Sequence, residues 1–376
     1  LKPSETEWRE RCRKSAFSSA RNMASWFTCG RSLQCRLISS IVLLCTVVCD
    51  GLVHVRQAAN TSLLLHRSFT IRYTLLGLDD SNSSNLEDKL LPALESAHCT
   101  AETYLAPALL AADFIQVLPD YVVYTNYNSH AAVQSWIDKL PEADGARIRL
   151  INLDDDVDDA DHMKPFSGFN LDDKNYVSVR RTLADSTHLP IDSARLLLGT
   201  DISFLAEPKT FILEAAKLSY GQAMYMYDDV TWKGELYRVN NYPGPQCAGL
   251  LGDFIFLAPG VELSASLLQE KMLWYASQPF TRNRIDPPCK ECDRPWWSNR
   301  LHAIDQFGMA MALGDATANS EPAGCLALPS PKYHSARGKC EARNPRVTEV
   351  VHDKCILSGI CGYHTVQKTD VVGEQV

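Results

Sequence analysis

The chain has 376 residues, 45% hydrophobic and 22% charged, which excludes a disordered or fibrous protein and leaves room for one large core. Its net charge of −8 hides an asymmetry, because residues 1–36 carry eight Lys and Arg against three Glu, and the remainder is therefore strongly acidic. An acidic body lacks the basic face that nucleic acid requires, so no nucleic-acid partner is expected.

Met23 is the expected start of translation, which would leave part of the basic segment 1–36 untranslated. Arg31 and Arg36 precede Leu37 to Cys49, an apolar run of 13 residues closed by Asp50. A basic flank and a run of this length suit a signal peptide, whereas the same run extended to Val55 approaches a type II signal anchor. Both readings stay open, and both place the body in the ER or Golgi lumen or outside the cell. An uncleaved anchor would make the membrane a partner. The expected organisation is thus a basic segment 1–36, a signal or anchor 37–55, a stem 56–67, a folded domain 68–362 and a disordered tail 363–376. Glycosylation sequons at Asn60 and Asn82 agree with the secretory reading. Eight of the 13 cysteines lie beyond residue 50 and cluster towards the C-terminus, which predicts disulfide-stapled loops there. Cys289 and Cys292 also have the spacing of half a zinc site.

From Phe69 the pattern alternates. Phe69 to Leu76 reads as a strand, Leu86 to Leu105 as a helix, Tyr121 to Thr125 as a strand, Ala131 to Leu140 as a helix and Ala146 to Leu153 as a strand. This β-α-β-α-β order predicts a parallel, doubly wound sheet. Asp154 to Asp159 is expected to be a solvated acidic loop, and Tyr176 to Thr187 a helix bearing Arg180 and Arg181. Leu196 to Leu198 form a buried strand that turns through Gly199-Thr200-Asp201 into Ile202, Phe204 and Leu205 and stops at Pro208. Ligands of open α/β sheets sit beyond the carboxyl ends of strands, where Asp201 falls. A carboxylate there either holds a hard divalent cation or bonds its own turn. Farther on, Thr210 to Leu218 and Val261 to Ser277 read as helices, Gln222 to Tyr227 and the segment Gln246 to Leu257 as strands, and Ala303 to Ala310 as the start of a helix.

A strand, an xxD turn, an apolar run and a proline together resemble the metal-binding motif of GT-A nucleotide-sugar glycosyltransferases, especially the glycogenin-like group. Gly199 stands where that motif carries its first acid. The resemblance implies an α/β fold of GT-A (Rossmann-like) type, a mostly parallel sheet flanked by helices, with disulfide-rich C-terminal loops. It implies Mn2+ or Mg2+ held by Asp201 and His352, with Arg180 or Arg181 and Lys354 on the donor diphosphate. Thr125 and its neighbours would approach the base or ribose, and Gln246, Gly249 and Asp253 the sugar. Asp305 and Gln306 match an Asp-Gln element beside the donor sugar and are the expected catalytic pair. The implied reaction moves a sugar from a nucleoside diphosphate, most simply a UDP-sugar, to a glycan or glycoprotein acceptor. Gly199 equally supports a second expectation, a catalytically inactive luminal glycoprotein on the same scaffold that binds glycans or stabilises a partner.

Overall fold

The computed structural model describes residues 68–77, 90–169, 171, 173–227, 244–277, 304–320, 324–328, 333–335 and 349–352, with backbone only for 173–174, 333–335 and 351–352. The chain divides into two compact units, Leu1–Ser62 and Leu63–Val376, and every described residue belongs to the second. The expected signal or anchor, the stem, both sequons, the Cys289–Cys292 pair, Lys354 and the tail lie outside the described residues. No helix among the described residues is long and apolar enough to cross a membrane.

Seven strands form the main sheet: β1 (Phe69–Thr74), β2 (Asp120–Thr125), β3 (Ile148–Asn152), β4 (Ala194–Leu198), β6 (Ala223–Tyr227), β7 (Leu250–Leu257) and β8 (Cys325–Ala327), in the order β3-β2-β1-β4-β7-β6-β8. The first four pair in parallel, as the alternation of strands and helices predicts. β7 runs antiparallel to both β4 and β6, while β6 and β8 pair in parallel, so the sheet is mostly parallel as expected. The β7 sequence, Leu-Leu-Gly-Asp-Phe-Ile-Phe-Leu, is as apolar as a buried parallel strand and so carries no sign of direction. A smaller sheet joins β5 (Ile202–Phe204), β10 (Val350–His352) and β9 (Tyr333–Ser335).

Strand periodicity sorts the side chains into two cores. Phe69, Ile71, Tyr73, Leu196, Leu198, Phe254 and Phe256 face one layer. There they meet residues of α1 (Leu91–Thr100), α2 (Ala106–Ala111), α3 (Tyr127–Ile137) and α7 (Lys209–Ala215). Leu197, Ile255 and Leu257 face the other layer. That layer is built from α5 (Val157–Met163), α6 (Asp173–His188), α8 (Ala265–Ser277) and α9 (Ile304–Ala316). One further short helix, α4 (Glu142–Gly145), leads into β3. Helices on both faces make the fold a doubly wound α/β sheet.

Two local findings correct the sequence expectation. The helix expected to end at Leu105 continues through a π-helical turn, Ala101–Leu105, into α2, with Pro107 tolerated at its start. The acidic stretch after β3 is not a solvated loop. Asn152 and Asp156 each accept a backbone N–H at a helix start, the second of them capping α5, and Asp159 is buried inside that helix against Arg180.

An ion pair fixes α6 against the sheet. Arg72 of β1 grips Asp185 of α6 with Nε and Nη2, at 2.8 and 2.7 Å, and the two side chains are 2% and 1% exposed. Asp185 lies one turn beyond Arg181 on the same helix face, so this grip sets where Arg181 is delivered. Cys247 and Cys325 form a disulfide that ties the approach to β7 to β8 across 78 residues, and Cys99 on α1 is also disulfide-bonded.

Candidate functional site

Between β1 and β4 the chain reverses its winding: β2 and β3 lie on one side of β1, whereas β4 returns to the other. At such a switch point the loops leaving neighbouring strands part and open a crevice at the carboxyl edge. On the β1 side, Asn126 binds the backbone of Gly77 twice, accepting from its N–H at 2.9 Å and donating to its carbonyl at 2.6 Å. Ser129 donates to the Leu75 carbonyl at 2.6 Å. These bonds staple the end of β1 to the start of α3.

On the β4 side, four charged residues from four elements converge. Arg181 of α6 donates from Nη1 to Asp253 of β7 at 2.7 Å and from Nη2 to Asp305 of α9 at 3.0 Å. Asp201 follows β4, and Gly199 marks how near it lies. The position that a Cβ on Gly199 would take is 2.7 Å from Asp253 Cβ, 2.9 Å from Asp253 Cγ and 2.8 Å from Asp201 Oδ1. The Gly199 N–H also donates to the Asp253 carbonyl at 2.8 Å. The Asp253 side chain thus fills the space that a side chain at position 199 would need. Gly252 borders the same group, its Cβ position lying 3.7 Å from Arg181 Nη2 and 3.8 Å from Asp305 Oδ2.

The electrostatics follow from this packing. Burial works against the charge on Arg181, but the Asp253 and Asp305 carboxylates outweigh it and raise the guanidinium pKa further. The result is a fixed cation at the crevice edge, 18% exposed, between two fixed anions. Two of its five N–H donors serve these carboxylates, and a guanidinium binds phosphate through paired donors.

The sequence-predicted residues separate into those brought to this place and those set elsewhere. Arg181, Asp201 and Asp305 meet here. Gln306 adjoins them, but its amide donates to the Leu250 carbonyl at 2.7 Å and so secures α9 to β7. Arg180 points to another partner set, Asp159 at 2.6 Å and Asp154 at 2.6 Å. Burial opposes its charge as well, and those two acids raise its pKa. Thr125 is fully buried, its hydroxyl between His130 Nδ1 at 2.9 Å and the Ile151 carbonyl at 3.2 Å, which takes it away from a ligand-binding role. Gln246 packs on the far end of α9, where its Cα lies 2.6 Å from the Cβ position of Gly314. Nine residues of helix separate Gly314 from Asp305, roughly 13 Å. Gly249 has φ +86°, and a Cβ there would lie 1.9 Å from the Tyr227 ring, so the fold itself requires glycine. His352 pairs across strands with Ile202, next to Asp201 in sequence. Sequence reasoning gave Asp253 only a sugar-binding role. A charged residue inside an otherwise apolar strand was the available signal for a larger one.

No family model and no curated protein matches the chain. Among solved structures the chain is similar to the apo form of mouse xyloside xylosyltransferase 1, at 10% identity over 76% of this chain and 97% of that one, with a TM-score of 0.41. It is also similar to the galactosyltransferase LgtC, solved with donor and acceptor sugar analogues, at 11% identity over 76% of this chain and 86% of that one, with a TM-score of 0.42. Likeness of this depth assigns no residue a role.

Proposed function

We propose that the chain is a glycosyltransferase of GT-A type that moves a sugar from a nucleoside diphosphate donor, a UDP-sugar, to a glycan or glycoprotein acceptor in the ER or Golgi lumen. The observation that carries this reading is the Arg181 cation held between Asp253 and Asp305, beside Asp201, at the carboxyl edge of β4 next to the switch point. In sugar transfer the bond from the anomeric carbon to the diphosphate breaks while a bond to an acceptor hydroxyl oxygen forms. Charge therefore develops on the leaving diphosphate, and preorganised cationic donors are the main service a protein offers. Arg181 is placed for that service by the Arg72–Asp185 grip. Asp305, 6% exposed and hydrogen-bonded to Arg181, orients the sugar or the acceptor.

The fold type implies a divalent cation, Mn2+ or Mg2+, and the residues fit one. Asp201 Oδ1 and the Asp253 Cγ lie 2.8 and 2.9 Å from a single point next to Gly199, which brings two carboxylate side chains together there, and His352 stands on the strand paired with Ile202. Such a cation would supply further charge neutralisation at the diphosphate. Lys354, two residues beyond His352, is assigned to the same phosphates through the family resemblance.

Gly199 favours a second reading, a catalytically inactive luminal glycoprotein that binds glycans or stabilises a partner. Calorimetric titration of the purified protein with UDP separates the two. Micromolar binding that is lost in Arg181→Gln supports the transferase, and no UDP binding with or without Mn2+ supports the scaffold protein.

A further inference from the structure

Position 199 lacks an acid, yet the space beside it holds one. The Asp253 Cβ and Cγ lie 2.7 and 2.9 Å from where a Cβ on Gly199 would sit, and Asp201 Oδ1 lies 2.8 Å from the same point. A side chain from the antiparallel neighbour β7 has thus taken the place that a side chain at position 199, just beyond β4, would occupy, next to Asp201. Neighbouring carboxylates repel one another unless a cation lies between or beside them. Asp253 has such a cation in the Arg181 guanidinium, at 2.7 Å.

We propose that Asp253 is the second carboxylate of the cation site, transposed from position 199 to the adjacent strand, and that Arg181 neutralises it until a donor diphosphate arrives. This rests on the nucleotide-sugar reading above. Arg181 has two alternative partners of the same charge sign, the Asp253 carboxylate and the incoming diphosphate, and its bond to Asp305 keeps the guanidinium at the site during the exchange. Once Arg181 turns to the phosphates, the Asp253 carboxylate exchanges that guanidinium for the divalent cation beside Asp201. Among the described residues no three His, Cys, Asp or Glu side chains group closely enough to hold a metal. A small hard cation bound through one or two carboxylates takes its remaining ligands from phosphate oxygens and water, so two acids and a nucleotide suffice. Divalent cation and nucleotide therefore bind as a coupled pair, each raising the affinity of the other by the same factor.

The test is Mn2+ binding by the full chain, read from the electron paramagnetic resonance signal of free aqueous Mn2+, with and without UDP, alongside calorimetry with UDP. Wild type should bind Mn2+ at least about tenfold more tightly when UDP is present. In Arg181→Gln, Mn2+ alone should bind more tightly than in wild type and the gain from UDP should shrink. Asp253→Asn should lose Mn2+ binding in the presence of UDP, while the swapped variant Gly199→Asp with Asp253→Gly, which returns the acid to position 199 and removes the clash, should regain it. Circular dichroism melts confirm that each variant folds. Wild-type Mn2+ affinity in Asp253→Asn with UDP bound, or Mn2+ and UDP that bind independently in wild type, would overturn the inference and leave the transferase reading intact. Failure of wild type to bind UDP under either condition would overturn both.

Discussion

Removing Arg72 tests whether the buried pair on β1 and α6 positions the site. In Arg72→Met the Asp185 carboxylate, 1% exposed, loses both short bonds at 2.8 and 2.7 Å and has no water to replace them. Breaking one side of a buried pair costs roughly 3–5 kcal/mol. Replacing both partners, Arg72→Met with Asp185→Leu, removes the orphaned charge and should return stability to within about 1–2 kcal/mol of wild type. Urea unfolding of the four proteins closes a double-mutant cycle with a coupling of at least about 2 kcal/mol. The double variant should nevertheless bind UDP more weakly than wild type, because α6 no longer holds Arg181 in register. A single variant no less stable than the double one would refute the buried-pair argument. Full UDP affinity in the double variant would refute the positioning argument.

Three further outcomes follow from the packing. His98 is buried edge-on to Tyr121 and Trp136, and burial lowers its pKa to about 4. The folded state therefore favours the neutral ring, so its contribution to stability is full above pH 6.5 and is lost as pH falls towards 4, by about 3 kcal/mol. His98→Phe should flatten that part of the unfolding free energy against pH. Reducing the Cys247–Cys325 bond, or replacing both cysteines with serine, opens a loop of 78 residues and should lower stability by about 4 kcal/mol in denaturant titration. Gly249→Ala meets the Tyr227 ring and a positive φ, and should cost about 3 kcal/mol. Adding Tyr227→Ala should recover the steric part and leave about 1 kcal/mol for the backbone.

The parts of this molecule that were legible in the sequence are those that repeat locally. Alternating apolar strands and helices announced a doubly wound sheet, and short motifs singled out Asp201, Asp305 and the Arg180–Arg181 pair as candidates. The direction of β7 was not legible, because a strand buried on both faces looks the same in either direction. The Asp154–Asp159 run misled because consecutive acids suggest water, whereas helical spacing carries Asp159 inward to meet Arg180. The Arg72–Asp185 pair joins residues 113 apart, and nothing in either neighbourhood names the other. Asp253 belongs to the same class: its nearness to Gly199 exists only after β7 has paired against β4.

The central claim is that the Arg181–Asp253–Asp305–Asp201 group serves a nucleotide-sugar donor. Nucleoside diphosphate release from a panel of UDP- and GDP-sugars, with Mn2+ present, tests it most directly. Slow release from at least one donor by the wild-type protein, lowered at least about a hundredfold in Arg181→Gln, is the predicted result. Release from no donor, or release unchanged in Arg181→Gln, would contradict it.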